Sequence, residues 1–439
     1  MNQEFKVKTL GKCTVKSPLQ LSTTDEDDVF SFISDEQHVV YDVTLRGFNT
    51  LKESQEHPIA FEKAGPREKL FFDPSKTKAA IVTCGGLCPG INNVIRSLVM
   101  TLHYRYEVRN IVGIKYGYQG FIAKYKLPFV ELNPRVVEKI HQFGGSILGS
   151  SRGKQDVSEI VDVLVNSNIT ILFAIGGDGT LRGAEAITEE IKKRNLKIAV
   201  VGIPKTIDND INYTEKSFGF ETAFTVANPI IRDAHNEAKG AYNGVAIVKL
   251  MGRDSGFIAA NAALSMPDVN FVLVPEIRFD LKGEKGLLSV LQKKLKLSHH
   301  ALIVVAEGAG QHLFDKKEVV KDASGNIKHQ DIGLLLKNEI TQYFQESGTS
   351  VTIKYIDPSY IIRSAPANAS DSIFCGRLAQ NAVHGVMAGK TGFVVGRWNN
   401  KFIYLPINET IKKRKKIDLK GELWWNVLES TGQPDISNS

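Results

Sequence analysis

A chain of 439 residues with 42% hydrophobic and 23% charged residues has the make-up of a folded globular protein, not a disordered one, and at roughly 150 residues per domain it holds two to three domains. Its 55 Lys and Arg against 48 Asp and Glu leave a net charge of +7. Over this length that excess is mild: it implies no nucleic acid and suits an anionic small-molecule substrate equally well. Four cysteines (Cys13, Cys84, Cys88, Cys375) are too few for a disulfide scaffold and point to a reducing compartment. The longest strongly apolar stretch, Ala301–Ala306, falls far short of the ~18 residues a membrane helix needs. The first twenty residues carry Lys6, Lys8, Lys12 and Lys16 without an apolar block, so neither a membrane span nor a secretory signal is expected.

Residues 1–75 read as an N-terminal extension, partly β, with an acidic cluster at Asp25–Asp28, a short alternating stretch at His38–Val43 and no glycine-rich turn. From Lys78 onward short β-branched runs alternate with amphipathic segments. Strands are expected at Ala79–Thr83, Asn110–Ile114, Thr170–Ile175, Lys197–Ile203, Val245–Leu250, Asn270–Val274, Ala301–Ala306, Val351–Ile356 and Gly392–Val395. Helical periods fall at Asn92–His103, Asp156–Asn166, Leu181–Arg194, Glu221–Glu237, Lys285–Leu297, Asp331–Gln345 and Ala369–Ala388. Continuous apolar strands alternating with helices indicate an α/β fold with parallel-rich sheets flanked by helices. No short-period repeat suggests a solenoid. The basic run Lys412–Lys416 reads either as a nucleic-acid patch or as a solvated face; with no nucleic-acid module beside it, the second reading is adopted.

Ligands of open α/β sheets bind beyond the carboxyl ends of the strands, so the residues that follow the strands carry the information. After the first strand comes Cys84-Gly85-Gly86-Leu87-Cys88-Pro89-Gly90-Ile91-Asn92-Asn93, a loop whose glycines let backbone N–H groups approach an anion at a helix start. The alternative is a tight turn only. Its two cysteines lack further nearby thiol or imidazole partners for zinc and read as small buried side chains. After the Thr170–Ile175 strand comes Gly176-Gly177-Asp178-Gly179-Thr180, where Asp178 is either an N-cap or a carboxylate for Mg²⁺ on a polyphosphate. After the Lys197–Ile203 strand comes Pro204-Lys205-Thr206-Ile207-Asp208-Asn209-Asp210. Two carboxylates behind a lysine and a hydroxyl supply a base, an orienting or metal-binding carboxylate, and donors for a phosphoryl group; the bland counterpart is a polar loop with Asx turns.

These loops, with Met251-Gly252-Arg253, Pro275-Glu276 and the segment Tyr355–Arg363, resemble in order and spacing the 6-phosphofructokinase family, from about Lys78 to the C-terminal end. The resemblance implies two Rossmann-like lobes with the active site between them. Residues 76–218 with a return over 362–395 would form the nucleotide lobe, and 219–361 with 396–439 the sugar lobe. It implies phosphoryl transfer to the C1 hydroxyl of fructose 6-phosphate, with Asp208 as general base, Thr206 holding the transferred group, Asp210 orienting the site and Arg253 neutralising charge. Gly86, Gly177, Gly179, Thr180 and Lys205 would surround the donor, Arg152 would reach a donor phosphate, and Asp178 would bind Mg²⁺. The sugar would be read by Met251, Gly252, Arg253 and Glu276, and its 6-phosphate held by Tyr360 and Arg363. Lys354 falls where bacterial members place an arginine directed at a neighbouring subunit. The other such arginine would fall near Gly244, where no cation stands. A homo-oligomer, dimer or tetramer, is implied, and a cytoplasmic location is expected from the absence of a peroxisome-type C-terminal signal.

Members of the family use ATP or pyrophosphate. Pyrophosphate-dependent members carry an aspartate at the position of Gly179 and a lysine at that of Lys205, so the two markers diverge here. Glycine removes both bulk and negative charge from the path of a nucleotide α-phosphate, and the pairing of glycine with lysine resembles the trypanosomal and plant ATP-dependent enzymes. ATP is therefore expected. Other kinases that use a Gly-Gly-Asp-Gly-Thr turn, the NAD and lipid kinases, lack the remaining motifs. A non-catalytic paralogue would have lost its base or its metal carboxylate, whereas Asp178, Asp208, Asp210 and Arg253 are all present.

Overall fold

The structure, a computed structural model, describes residues 3–24, 29–54, 58–314 and 328–438; the acidic cluster Asp25–Asp28 lies outside the described residues. The chain divides into two compact units. One comprises Met1–Thr206, Ile211–Gly219 and Pro366–Arg414, the other Ile207–Asp210, Phe220–Ala365 and Lys415–Ser439.

In chain order the principal strands begin with β1 (His38–Val40), β2 (Ala60–Lys63), β3 (Lys78–Thr83), β4 (Asn110–Ile114), β5 (Val130–Glu131), β6 (Ile171–Gly176) and β7 (Ala199–Pro204). Then follow β8 (Gly244–Leu250), β9 (Phe271–Leu273), β10 (His300–Ala306), β11 (Thr352–Ile356), β12 (Phe393–Trp398) and β13 (Lys401–Pro406). The helices that matter below are α1 (Ile91–Arg105), α2 (Val157–Asn166), α3 (Asp178–Lys193), α4 (Phe220–Lys239) and α5 (Phe257–Leu264). They continue with α6 (Leu287–Ser298), α7 (Ile332–Glu346), α8 (Ser359–Ser364), α9 (Ala369–Met387) and α10 (Glu422–Thr431).

The first unit holds a nine-stranded sheet in the order β1-β2-β13-β12-β7-β6-β3-β4-β5. Its middle is parallel: β7 pairs with β12 and β6, and β3 with β6 and β4. Every residue of β6 and β7 is buried, as expected where helices cover both faces of a parallel sheet. The register sets Pro204 opposite Gly176 and Thr83 opposite Ile175. The three motif-bearing loops therefore leave adjacent strands at the same level. The second unit holds four parallel strands in the order β9-β10-β8-β11. Leu250 faces Ala306 and Val248 faces Ile356, so the exits of β8, β10 and β11 share one edge. The parallel-rich α/β class is as read from the sequence, and the expected strands and helices all appear within a few residues of their expected ends.

Two boundaries differ from expectation. Residues 1–75 do not stand apart from the first unit: Lys8–Thr9 pairs with Lys390–Thr391, Val15–Lys16 pairs with Lys69–Leu70, and β1 and β2 extend the large sheet beyond β13. The guanidinium of Arg67 meets Asp35 at 2.7 Å and Glu62 at 2.6 Å, and Lys390 meets the same two carboxylates at 3.0 and 2.5 Å. The return of the first unit also runs to Arg414, beyond 395, because β12 turns straight back into β13 and the two pair along their whole length. That turn is Asn399-Asn400 with φ of 46° and 61°, the doubly left-handed geometry of a two-residue hairpin.

Candidate active site

In the first unit the sequence motifs come together through their backbones. Cys84 N–H donates to Ile175 O at 3.0 Å, and Lys205 N–H to Gly176 O at 3.0 Å. Gly85 N–H donates to Ser151 O at 2.9 Å, and Ser150 Oγ returns a bond to Gly85 O at 2.6 Å. The loop that carries Arg152 is thereby laced to the first glycine loop. The Lys205 ammonium, on a side chain only 5% exposed, donates to Gly86 O. A cation is thus fixed where glycine-loop N–H groups and a helix start already favour anions. Gly90, N-cap of α1 with φ 97°, must be glycine, since a Cβ there would lie 2.6 Å from Cys375 Sγ.

The second glycine loop forms the first turn of α3. The N-cap is Gly177, not Asp178, and Asp178 is the first helical residue, one reading of that carboxylate thereby being set aside. Asp178 Oδ2 lies 3.2 Å from Arg182 Nε and 3.8 Å from an Arg414 terminal nitrogen. Thr180 is buried and its carbonyl accepts from Tyr118 Oη at 2.9 Å. Gly179 differs from its neighbours. A Cβ at Gly176 would strike Thr180 Oγ1 at 2.1 Å, and one at Gly177 would lie 3.3 Å from Lys205 O, whereas one at Gly179 meets nothing within 4 Å. Nothing in this protein's own packing demands glycine at 179.

In the second unit Asp208 and Asp210 are each 9% exposed, on either side of Asn209, which is left-handed at φ 53°. Arg253 Nε lies 3.9 Å from Asp208 Oδ2. Arg253 is itself left-handed at φ 49°, in a turn closed by Ser255 N–H to Gly252 O at 2.9 Å. Gly252 suits that turn, because with φ at 142° a Cβ would come 2.5 Å from Ser255 O. Lys415 N–H bonds Asp210 O at 2.8 Å, so part of the basic run is engaged by the fold. Lys415 Nζ sits 5.0 Å over the Phe257 ring, and Lys412 pairs with Glu409 at 2.7 Å.

Glu276 is held by backbone donors. Oε1 and Oε2 accept from Gly256 N–H at 3.0 and 3.1 Å, and Oε1 also accepts from Ile417 N–H at 3.0 Å. Its carboxylate serves the backbone at the start of α5. Glu307, directly after β10, was not singled out from the sequence; its Oε1 accepts Arg253 N–H at 3.0 Å. Gly308 lets the strands' ends approach, as a Cβ there would sit 1.9 Å from Arg253 O. The available signal was the same strand-end position that identified the other motifs. Met251 is half-buried at the exit of β8. Tyr360 is 74% exposed on α8, with the Arg363 guanidinium 4.7 Å from its ring centre. Lys354 pairs with Glu237 of α4 at 3.5 Å, an exposed pair of little energetic weight.

All four cysteines are free thiols, and Cys84, Cys88 and Cys375 are buried; burial pushes the Cys84 thiol up to about 12. Among the described residues no cluster of three His, Cys, Asp or Glu suits a metal ion. Asp178, one carboxylate at the start of α3, is a donor of the kind Mg²⁺ takes, since that ion keeps several waters and is held by one or two carboxylates plus substrate phosphates. Among the described residues no helix is long and apolar enough to cross a membrane.

Comparison with known proteins gives a consistent picture. Residues 78–386 match the family model described as phosphofructokinase. The chain is 51% identical over 439 residues to the ATP-dependent 6-phosphofructokinase of Borreliella burgdorferi, covering 99% of this chain and 97% of that protein. It is 45% identical to the enzyme of the same name from Amycolatopsis methanolica (98% and 95% covered) and 49% identical to that of Entamoeba histolytica (83% and 83%). Among solved structures, pyrophosphate-dependent phosphofructokinases from Marinobacter aquaeolei and Nitrosospira multiformis superpose with TM-scores of 0.66 and 0.67 at 20% and 18% identity. Each covers 82% of this chain, and 92% and 93% of the other. At that identity the likeness is one of fold.

Proposed function

The chain belongs to the phosphofructokinase family, and from that premise we infer that it transfers the γ-phosphoryl group of ATP to the C1 hydroxyl of fructose 6-phosphate, giving fructose 1,6-bisphosphate and ADP. The observation that carries the mechanism is the pair Asp208–Arg253, a nearly buried carboxylate 3.9 Å from a guanidinium. Asp208 accepts the C1 hydroxyl proton as the oxygen attacks phosphorus. Arg253 faces the charge that spreads over the equatorial oxygens of the transferred group. Glu307 fixes the Arg253 backbone and would meet sugar hydroxyls. Tyr360 and Arg363 hold the 6-phosphate, the guanidinium offering planar paired donors.

On the donor side Lys205 and the Gly85–Gly86 loop receive phosphate oxygens, together with Arg152, Gly177 and Thr180. Asp178 would hold Mg²⁺, which when bound draws charge from the β- and γ-phosphates. Exposed Tyr116, left-handed at φ 53° and lying against Gly149 of the Arg152 loop, offers a flat face to a base. Gly179 leaves the nucleotide path open. A homo-oligomer in the cytoplasm fits this reading.

The test of the base is Asp208→Asn. Removing a general base lowers kcat about 10²- to 10⁴-fold, while the KM for fructose 6-phosphate should stay within about threefold because the amide keeps the shape of the side chain. A kcat retained within about tenfold would show that another group takes the proton.

A further inference from the structure

A second charged cluster in the same unit as Asp208 lies outside the roles assigned so far. Lys249, the penultimate residue of β8, places Nζ 2.9 Å from Asp331 Oδ2 and 2.9 Å from Asp357 Oδ2, and 5.8 Å over the Tyr355 ring. Its side chain is 12% exposed, against 34% and 37% for the two carboxylates. Asp331 has other work. It caps α7 by accepting from Gly333 and Leu334 N–H at 3.0 and 3.2 Å, and it accepts from Tyr355 Oη at 2.8 Å. Asp357 accepts from Ser359 N–H at 3.2 Å and from Ser359 Oγ, which fixes the turn from β11 into α8. One ammonium thus joins the strand that leads into Met251-Gly252-Arg253 to the turn that leads into Tyr360 and Arg363.

We propose that Lys249 is a positioning residue for the sugar-phosphate subsite, acting through Asp357 on Tyr360 and Arg363. The inference rests on the reading that those two residues hold the 6-phosphate. Two carboxylate oxygens that each lie 2.9 Å from one ammonium are no more than about 6 Å apart, a separation at which like charges repel. Without the lysine one carboxylate must yield. Asp331 is anchored by a helix cap and a tyrosine, so Asp357 gives way and takes the start of α8 with it. The lysine also leaves the cluster with one net negative charge instead of two beside a site for a phosphate dianion. Burial works against the charge of the Lys249 ammonium, but the hydrogen bonds it donates to Asp331, Tyr355 and Asp357 outweigh that cost and raise its affinity for its proton, so it stays charged throughout the working range.

The test is steady-state kinetics on Lys249→Met, Asp357→Asn and Arg363→Ala in the full-length protein, with thermal melting alongside. Lys249→Met should raise the KM for fructose 6-phosphate about tenfold or more, with kcat and the KM for ATP within about threefold. Asp357→Asn keeps the acceptor for Ser359 but loses the ion pair, and should give a smaller rise in the same constant. Equal changes in kcat and in both KM values would mean a general structural role and would overturn the proposal. So would an unchanged KM in both variants while Arg363→Ala raises it. If Arg363→Ala itself leaves that KM unchanged, the phosphate-subsite reading and the proposal fall together. Should Lys249→Met not fold, Asp357→Asn decides alone.

Discussion

At the scale of single residues, the site depends on what a carboxylate's oxygens are already doing. Glu276 and Glu307 both follow apolar strands, and from sequence each could read a sugar. Both accept from backbone N–H groups, Glu276 from Gly256 and Ile417 and Glu307 from Arg253; we propose that Glu307, beside Arg253, is the one that reaches the sugar. Glu276→Gln should therefore cost stability, about 1–2 kcal/mol for weakened charge-assisted bonds, with the KM for fructose 6-phosphate within about threefold. Glu307→Gln should raise that KM about tenfold with little change in melting temperature. Denaturation and kinetics on the two variants check this, and the reverse pattern would return the sugar-reading role to Glu276. The difference was not legible in the sequence because both residues satisfy the strand-end rule; only the path of the chain past Gly256 and Ile417 distinguishes them. Asp208, Asp210 and Arg253 stood out in the sequence by their place after apolar strands and by the family resemblance, and the structure sets Asp208 and Arg253 3.9 Å apart.

At the scale of elements, α9 packs its apolar face within the first unit and buries Phe374, Cys375, Leu378, Ala382 and Val386. It also carries His384, whose Nδ1 lies 2.7 Å from Tyr106 Oη. Burial and the nearby Arg67 and Arg105 push the His384 imidazole down to about 3. A group whose folded pKa is depressed gives full stability above its unfolded value, ~6.5 for His. That contribution is lost as pH falls from about 6.5 toward 3, because the unfolded chain takes up the proton first. The slope from this group approaches about 1.4 kcal/mol per pH unit within that window. Urea unfolding at pH 7.5 and 5.0 should show a smaller loss for His384→Gln than for the parent protein; an equal loss would place the titration elsewhere.

The elements themselves were largely legible because β6, β7 and β10 are nearly continuous apolar runs and the helices have clear apolar faces. The hairpin of β12 and β13 was missed, although Asn399-Asn400 is a turn signal. Its second strand, Lys401–Pro406, was absorbed into the expected second lobe. The small helix α5 was missed as well, since Phe257–Leu264 is apolar all round and lacks the periodicity that marks an exposed helix.

At the scale of the whole molecule, the fold class follows from the alternation of strands and helices. The division into units does not, because it depends on where five crossings of the chain between the units fall. Residues 207–210 belong with Arg253, not with the strand that delivers them, and nothing in their sequence shows it. The N-terminal residues were read as separate because they lack the alternating pattern, yet they pair with the first unit's sheets and its Lys390. What the molecule does as a unit turns on the phosphoryl donor, where Gly179 and Lys205 point in opposite directions by sequence. Lys205 is tied to the glycine loop and serves a phosphate from either donor. A Cβ at Gly179 meets no atom within 4 Å, so a side chain can start there, and the Gly179→Asp variant bears on the donor.

The most direct measurement is a coupled assay of fructose 1,6-bisphosphate formation with Mg²⁺, comparing ATP and pyrophosphate on the parent protein and on Gly179→Asp. The account predicts turnover with ATP and not with pyrophosphate, and a loss of ATP turnover of about 100-fold or more in the variant, as bulk and negative charge then stand in the path of the nucleotide α-phosphate. Turnover with pyrophosphate alone, or full ATP turnover in Gly179→Asp, would contradict it.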